Sequence, residues 1–421
     1  MASFHIVEHK IPTQHIREYA RATSGPQETV LHLAVKQYIP KDNPNPQPGD
    51  VTIIGAHANG FPKELYEPLW DEINARSKKC GFRIRGIWIA DVAQQGHSSV
   101  LNEELLGNDP SWSDHPRDLL HLINVKRADM PRPLIGIGHS MGGNHLVQLS
   151  LMHPRLLTTL IMIDPVIQTY SSTAPHLGPG PARLSTFRRD IWPSREEAAK
   201  SFKASKFYQA WDPRVLDCWI KYGLRDVPTA VHSQEKPPKV TLTTPLHQEV
   251  FTFLRPNYEG YGTEGKPVNR KTHPDLNPIL PSIAPFYRAE PPAVFFRLQE
   301  LRPSVLYIFG GKSDVGTPEN CKAKLDNTGV GVGGSGGAAA GRVRSVLFED
   351  IGHLIAMEAV DRTADHTSSW IRDEMKIWKE LEDEHHRTWD AKTLREKQTI
   401  DEQWKKMIGG PLERKPKQPK L

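Results

Sequence analysis

The chain is predicted to be an α/β protein: a mostly parallel, doubly wound sheet with a cap inserted before its last two strands and a helical C-terminal tail. Three observations predict it. Short continuous apolar runs alternate with longer amphipathic stretches over residues 1–164, the cadence of strand, helix, strand, helix. One apolar run passes directly into Gly138-His139-Ser140-Met141-Gly142, a G-x-S-x-G match followed by a helical pattern. The cadence breaks over residues 165–303 and resumes in two further strands at 304–309 and 344–348.

In order, residues 4–11 and 30–39 alternate apolar with polar, as half-exposed antiparallel strands do. Residues 41–50, KDNPNPQPGD, carry three prolines and cannot continue a ladder. Val51–Ala56 is a continuous apolar run, the mark of a strand buried on both faces. It ends in His57-Ala58-Asn59-Gly60-Phe61-Pro62, and a helix is expected over 63–79. A strand over 82–90 ends at Asp91, and a helix over 113–129 takes Ser113 or Asp114 as its cap. The G-x-S-x-G strand spans 134–137 and its helix 144–152, and a strand at Thr159–Ile163 stops at Asp164-Pro165.

Residues 165–303 are rich in proline and aromatics, with helical patches at 195–209 and 213–222. They are too long for a simple loop and read as a cap over the carboxyl edge of the sheet. The division is therefore 1–164, first part of the core; 165–303, inserted cap; 304–370, second part of the core; 371–421, charged helical tail. Residues 329–341, GVGVGGSGGAAAG, trace G-x-G-x-x-G through Gly329, Gly331 and Gly334. They do not open a helix directly after a strand, as a dinucleotide-binding turn must, and are expected to form a flexible surface loop.

A formal charge of +5, with no basic helix or loop interleaved with aromatics, argues against a nucleic-acid binder. Cys80, Cys218 and Cys321 are odd in number, far apart and without metal-ligand spacing. They fit a reducing compartment, and neither a metal nor an organic cofactor is expected. The opening MASFHIVEHK lacks the apolar core of a secretory leader, and no run approaches the ~18–20 apolar residues of a membrane span. A soluble protein is expected.

The G-x-S-x-G turn has the form of a nucleophile elbow, which lifts a serine hydroxyl above the sheet from a strained turn crowded enough to need glycine neighbours. A serine hydroxyl is a poor nucleophile until a positioned base, itself oriented by an acid, takes its proton. In elbow-bearing sheets the partners follow in chain order serine, acid, histidine. His353, in the Asp350-Ile351-Gly352-His353 turn past the last core strand, stands where that histidine belongs. His97, His115 and His139 lack such placement and are assigned to packing or surface. For the acid, Asp164 and Asp314 both end strands between Ser140 and His353. In Gly310-Gly311-Lys312-Ser313-Asp314 a G-x-x-D frame read from Gly310 puts Ser313 in the acid's slot, and one read from Gly311 puts Asp314 there. The residues alone leave the two aspartates level. An oxyanion hole needs two backbone donors, for which Met141 N–H and Asn59 N–H are the candidates.

With these residues in place, the chain resembles the fungal peroxisomal α/β-hydrolases. That family includes the acyl-CoA hydrolases of mycophenolic acid biosynthesis, the hydrolases encoded with Alternaria host-selective toxin genes and a yeast peroxisomal lipase. The resemblance rests on HIREY near the start, FPKELYEPLWDE, SWSDHPRDLL, PRPLIGIGHSMGGN and HPRLLTTLIMIDPVIQ, and it is closest to the first two groups. It implies the α/β-hydrolase fold and a Ser140, Asp164, His353 triad, with Asp164 preferred over Asp314. The departures are Ala58, where a glycine usually follows the histidine, and the glycine-rich 329–341 insert. The implied function is a serine hydrolase that cleaves an acyl-CoA thioester. An ester or lactone hydrolase or lipase, and a non-catalytic lipid- or metabolite-binding protein, are the alternatives. Arg183, Arg188 and Arg189 in the cap offer contacts for nucleotide phosphates, a solvated face being the plainer account. Pro419-Lys420-Leu421 resembles the S-K-L peroxisomal address, which would engage the import receptor and place the protein in the peroxisomal matrix, or leave it cytoplasmic if unread. A homodimer is left open.

Overall fold

The computed structural model describes residues 3–170, 180–258, 268–276 and 285–410. Eight strands make the main sheet: β1 (Phe4–Pro12), β2 (His32–Pro40), β3 (Val51–Ala56), β4 (Ile84–Ala90), β5 (Leu134–His139), β6 (Thr159–Ile163), β7 (Ser304–Gly310) and β8 (Val343–Phe348). Their order across the sheet is β1-β2-β4-β3-β5-β6-β7-β8. β1 and β2 are antiparallel, as are β2 and β4, and every later pairing is parallel. Every residue of β3, β5, β6 and β7 is buried, which is why these strands read as unbroken apolar runs.

Register places the site. Ala56 lies opposite Gly138, His139 opposite Ile163, and Ile163 opposite Ile308. The carboxyl ends of β3, β5, β6 and β7 therefore finish in line, and the loops that follow them converge on one edge, where ligands bind in open parallel sheets. The helices α1 (Glu67–Ser77), α2 (Asp114–Val125) and α3 (Met141–Met152) follow β3, β4 and β5.

Several expectations are corrected. The helix expected over 63–79 opens as a 3-10 turn, Lys63–Tyr66, before α1. Neither Ser113 nor Asp114 caps α2 through its side chain: Ser113 itself has helical dihedrals, φ −70 and ψ −13. β2 is not half-exposed but buried on both faces over residues 33–36, because Tyr222, from the segment between β6 and β7, covers Lys36, whose ammonium lies 4.4 Å from that ring. The helical patch at 195–209 breaks at Ser205, which is extended, giving helices Arg195–Ala204 and Lys206–Gln209. The 329–341 loop is tied down: Gly329 N–H donates to Leu298 O, Gly331 N–H to Gln299 O and Ser335 N–H to Leu301 O.

Between β6 and β7 the chain builds helices at Arg195–Ala204, Pro213–Tyr222 and Leu246–Phe253 and a small sheet of Ile191–Trp192, Val240–Leu242 and Leu224–Asp226. Its aromatic cluster includes Trp211 and Trp219, which pack at 5.6 and 6.0 Å on Phe61 of the loop after β3. Buried polar links fix this segment to the core: Arg255 to Asp109 at 2.7 Å, Trp112 Nε1–H to Thr252 O at 2.7 Å, and Glu290 accepting from Ser111 and Trp112 N–H. Compactness divides the chain into residues 1–372 and 373–421. The second unit carries the short helices Leu394–Gln398, closed by a Thr393–Glu396 capping box, and Glu402–Ile408. Among the described residues no helix is long and apolar enough to cross a membrane.

Candidate active site

β5 delivers Ser140 into a turn with φ 57 and ψ −117, a region that a residue with a Cβ enters only when its surroundings hold it there. The hold is visible. Ser140 N–H donates to Ile163 O, and its carbonyl accepts from Gly143 and Val166 N–H. The glycines are required by close approach: a Cβ on Gly138 would lie 2.6 Å from Gly142 O, and one on Gly142 only 2.1 Å from Ala56 O.

The Ser140 hydroxyl lies 2.8 Å from His353 Nε2, and His353 Nδ1 lies 2.6 Å from Asp164 Oδ2. Residues 213 and 189 apart in sequence thus form one hydrogen-bonded line. The line itself sets the tautomer: Nδ1–H donates to the carboxylate, leaving Nε2 to accept from the serine. Asp164 is 1% exposed and also has positive φ, 40°, which turns its side chain under the histidine. Burial alone would raise its pKa, but the His353 contact, the Ser313 hydroxyl and nearby Lys324 outweigh burial and hold it below the ordinary carboxylate range. Asp314 is exposed, and the adjacent Ser313 is the side chain from its loop that meets Asp164.

The loop after β3 is fixed by side chains. Ala58 N–H donates to Tyr66 Oη at 2.9 Å and Gly60 N–H to Gln95 Oε1 at 2.8 Å, while Gln95 Nε2 donates to Asn59 Oδ1. Asn59 N–H has no partner among the described residues. Met141 opens α3, so its N–H has no acceptor within the helix. A small apolar cluster of Val92, Trp112 and Met141, joined by Val166, adjoins the elbow.

Sequence reasoning missed two features. His139, assigned to packing or surface, is fully buried, with Nδ1 2.9 Å from Tyr66 Oη and Nε2 2.9 Å from His353 O. Burial, then the neighbouring His353, pushes its pKa down to about 3, so it is neutral; Tyr66 O–H donates to Nδ1 and Nε2–H donates to His353 O. One relay thus joins the loop after β3 to the backbone of His353. Ser313, which the G-x-x-D frame read from Gly310 put in the acid's slot, is the second. That frame marks the position and not the role, and no local signal marks the His139 relay, since both depend on partners brought in by the sheet register.

Of the other residues singled out, His115 is fully buried and His97 is exposed, neither touching the line. Arg188 is not available for phosphates, because its guanidinium is paired with buried Glu249. Arg189 donates to Ile191 O and lies over Trp192, while Arg183 is exposed. Pro419, Lys420 and Leu421 lie outside the described residues.

A mostly parallel eight-stranded sheet with this elbow after β5 and an insertion between β6 and β7 is the α/β-hydrolase fold. It is shared with the peroxisomal α/β-hydrolase Lpx1 of Saccharomyces cerevisiae, at TM-score 0.69 and 16% identity over 95% of this chain and 100% of that one. No family model matches the chain. In sequence it is 42% identical over 402 residues to the type I acyl-CoA thioesterase mpaH of Penicillium roqueforti (strain FM164), covering 90% of each. It is 41% identical over 426 residues to mpaH of Penicillium brevicompactum, covering 96% of this chain and 95% of the relative. An abhydrolase domain-containing protein of Alternaria alternata, ACTT2-1, is 30% identical over 250 residues, 59% of this chain and 87% of its own. The chain belongs to the fungal α/β-hydrolase family that contains these Penicillium thioesterases, and it is a hydrolase.

Proposed function

We propose that the protein is a serine hydrolase of acyl-CoA thioesters, with Ser140 as nucleophile, His353 as general base and acid, and Asp164 as the orienting carboxylate. The observation that carries the chemistry is the unbroken line from Ser140 Oγ through His353 to Asp164, at 2.8 and 2.6 Å. Nε2 takes the serine proton as Oγ bonds the acyl carbon, giving a tetrahedral oxyanion. Met141 N–H and Asn59 N–H are the proposed donors to that oxygen; the commitment of Ala58 N–H to Tyr66 supports Asn59 as the second. Collapse breaks the C–S bond, and the imidazolium returns its proton to the CoA thiolate. Water then loses a proton to Nε2, its oxygen bonds the acyl carbon, and the released Oγ recovers a proton as the free acid leaves.

The thioester class is supported by the 41–42% identity to proteins named as acyl-CoA thioesterases. The apolar cluster of Val92, Trp112, Met141 and Val166 beside the elbow supports an apolar acyl group. Peroxisomal import through Pro419, Lys420 and Leu421 belongs to the same reading, supported by the likeness of that tripeptide to the S-K-L address. The test is a panel of acyl-CoAs of graded chain length, followed with a thiol reagent, against matched oxygen esters. Higher kcat/KM on the oxygen esters refutes the thioester class. Equal fluorophosphonate labelling of wild type and Ser140→Ala refutes the nucleophile.

A further inference from the structure

Asp164 Oδ2 accepts two hydrogen bonds, one from His353 Nδ1–H and one from the hydroxyl of Ser313. The second donor comes from the loop after β7, the loop whose two reading frames competed for the acid's place. That loop is built around the carboxylate. Gly310 N–H approaches Asp164 Oδ1 at 3.4 Å, and a Cβ on Gly316 would lie 3.0 Å from the same oxygen. Val315 N–H donates to Ser313 Oγ at 3.3 Å, which orients the hydroxyl, and the Lys324 ammonium, 1% exposed at residue level, donates to Val315 O. On its other side the loop touches the segment that carries His353: Gly311 N–H donates to Phe348 O, Lys312 N–H donates to Ile351 O, and a Cβ on Gly310 would meet Gly352 O at 2.2 Å.

We propose that Ser313 is a positioning residue for the Asp164 carboxylate, and that positions 164 and 313 address the same point on the His353 ring. This rests on the reading of Asp164 as the orienting carboxylate. A hydroxyl at 313 reaches the oxygen that holds Nδ1. An aspartate side chain there is about one bond longer and would put its own oxygen in that place once Asp164 is cut back. The hydroxyl also draws negative charge away from the carboxylate, so removing it makes Asp164 a stronger partner for the imidazolium. The ionisable groups facing this pair are His139, Cys321 and Lys324 around Asp164, and Glu358 near His353.

The experiment compares steady-state pH profiles of Ser313→Ala, Ser313→Thr, Asp164→Ser and the double variant Asp164→Ser/Ser313→Asp on one acyl-CoA. Ser313→Ala is expected to lower kcat about ten-fold with KM unchanged, the scale of one lost charge-assisted hydrogen bond. It also shifts the acid limb of kcat/KM toward higher pH, because the carboxylate facing the imidazole loses a hydrogen bond that spread its charge. Ser313→Thr keeps the hydroxyl and restores both. Asp164→Ser loses about 10⁴-fold, and the double variant regains about a hundred-fold of that loss. A Ser313→Ala profile that superimposes on wild type overturns the proposal, and decides it alone if the double variant is insoluble. A soluble double variant no better than Asp164→Ser also overturns it, because position 313 then does not reach the ring. Full activity of Asp164→Ser would instead overturn the assignment of the acid, a separate and recognisable result.

Discussion

Asp164→Asn changes one oxygen into an NH2 group, and the hydrogen bonds around it decide which way the new amide turns. Oδ1 faces a backbone donor, Gly310 N–H, at 3.4 Å, which cannot reverse its role. Oδ2 faces two partners that can: the Ser313 hydroxyl rotates to accept, and His353 can exchange tautomers. An asparagine therefore settles with its carbonyl oxygen toward Gly310 and its NH2 toward His353. Nδ1 is then the acceptor and Nε2 carries the proton, so Nε2 can no longer take the proton of Ser140. A histidine held in the wrong tautomer costs about 10⁴ in kcat, equivalent to ~5.4 kcal/mol of transition-state stabilisation. Because the amide fits the same space and keeps its partners, the urea midpoint should hardly move. The assay is kcat and KM on one acyl-CoA for wild type, Asp164→Asn and Asp314→Asn. Asp314 is exposed, and its variant should match wild type. An Asp164→Asn enzyme within ten-fold of wild type, or an inactive Asp314→Asn, refutes the reasoning.

Tyr66→Phe removes the acceptor of Ala58 N–H and the donor to His139 Nδ1, both buried, and should cost about 1–3 kcal/mol in urea unfolding. It should also lower kcat while leaving KM, and an unchanged midpoint with unchanged kcat would show that the relay carries nothing. The second expectation concerns pH. His57, His115, His139 and His145 are buried, and burial lowers the pKa of each; it goes well below the ordinary histidine value for His115 and His145 and down to about 3 for His139, so these three stay neutral in the fold. Unfolded, these three protonate below about 6.5, so the unfolded chain binds more protons and stability is lost as the pH falls, by about 1.4 kcal/mol per unit for each of them. Asp114, pushed up to about 6 by burial, works the other way over the window below its folded value and offsets one of them. The urea midpoint should drop between pH 7 and pH 5, and His145→Leu should flatten the dependence; equal slopes for the two proteins would sink the account.

What the residues made legible was whatever burial writes locally. β3, β5, β6 and β7 are covered on both faces, so their sequences are apolar without alternation and their limits can be read within two residues. The elbow is legible for a different reason: steric crowding at Gly138 and Gly142 restricts the residue type itself. The alternation rule failed at β2, because Lys36 is polar yet buried among Glu64 and Glu67 beneath Tyr222, and a paired charge under a distant segment leaves no trace in the strand's own period.

The two aspartates mark where local reading ends. Both follow a core strand, both precede His353, and their neighbours in sequence do not separate them. What separates them is direction. Asp164 sits at φ 40 directly after β6, with its N–H held by Ile308 O, and that backbone turn swings the carboxylate beneath the imidazole. Asp314 lies one residue beyond the position that faces inward, and a one-residue step in a tight loop is enough to send a side chain to solvent. The residue that faces inward is Ser313, so the loop contributes a hydroxyl where its other frame would have contributed a carboxylate. Two strand ends thus compete for one point on the histidine ring, and the outcome depends on a backbone dihedral and a loop frame. Neither quantity can be read from residue type or spacing; the register of β6 and β7 sets the two strand ends side by side, and the backbone beyond them decides which side chain reaches the ring.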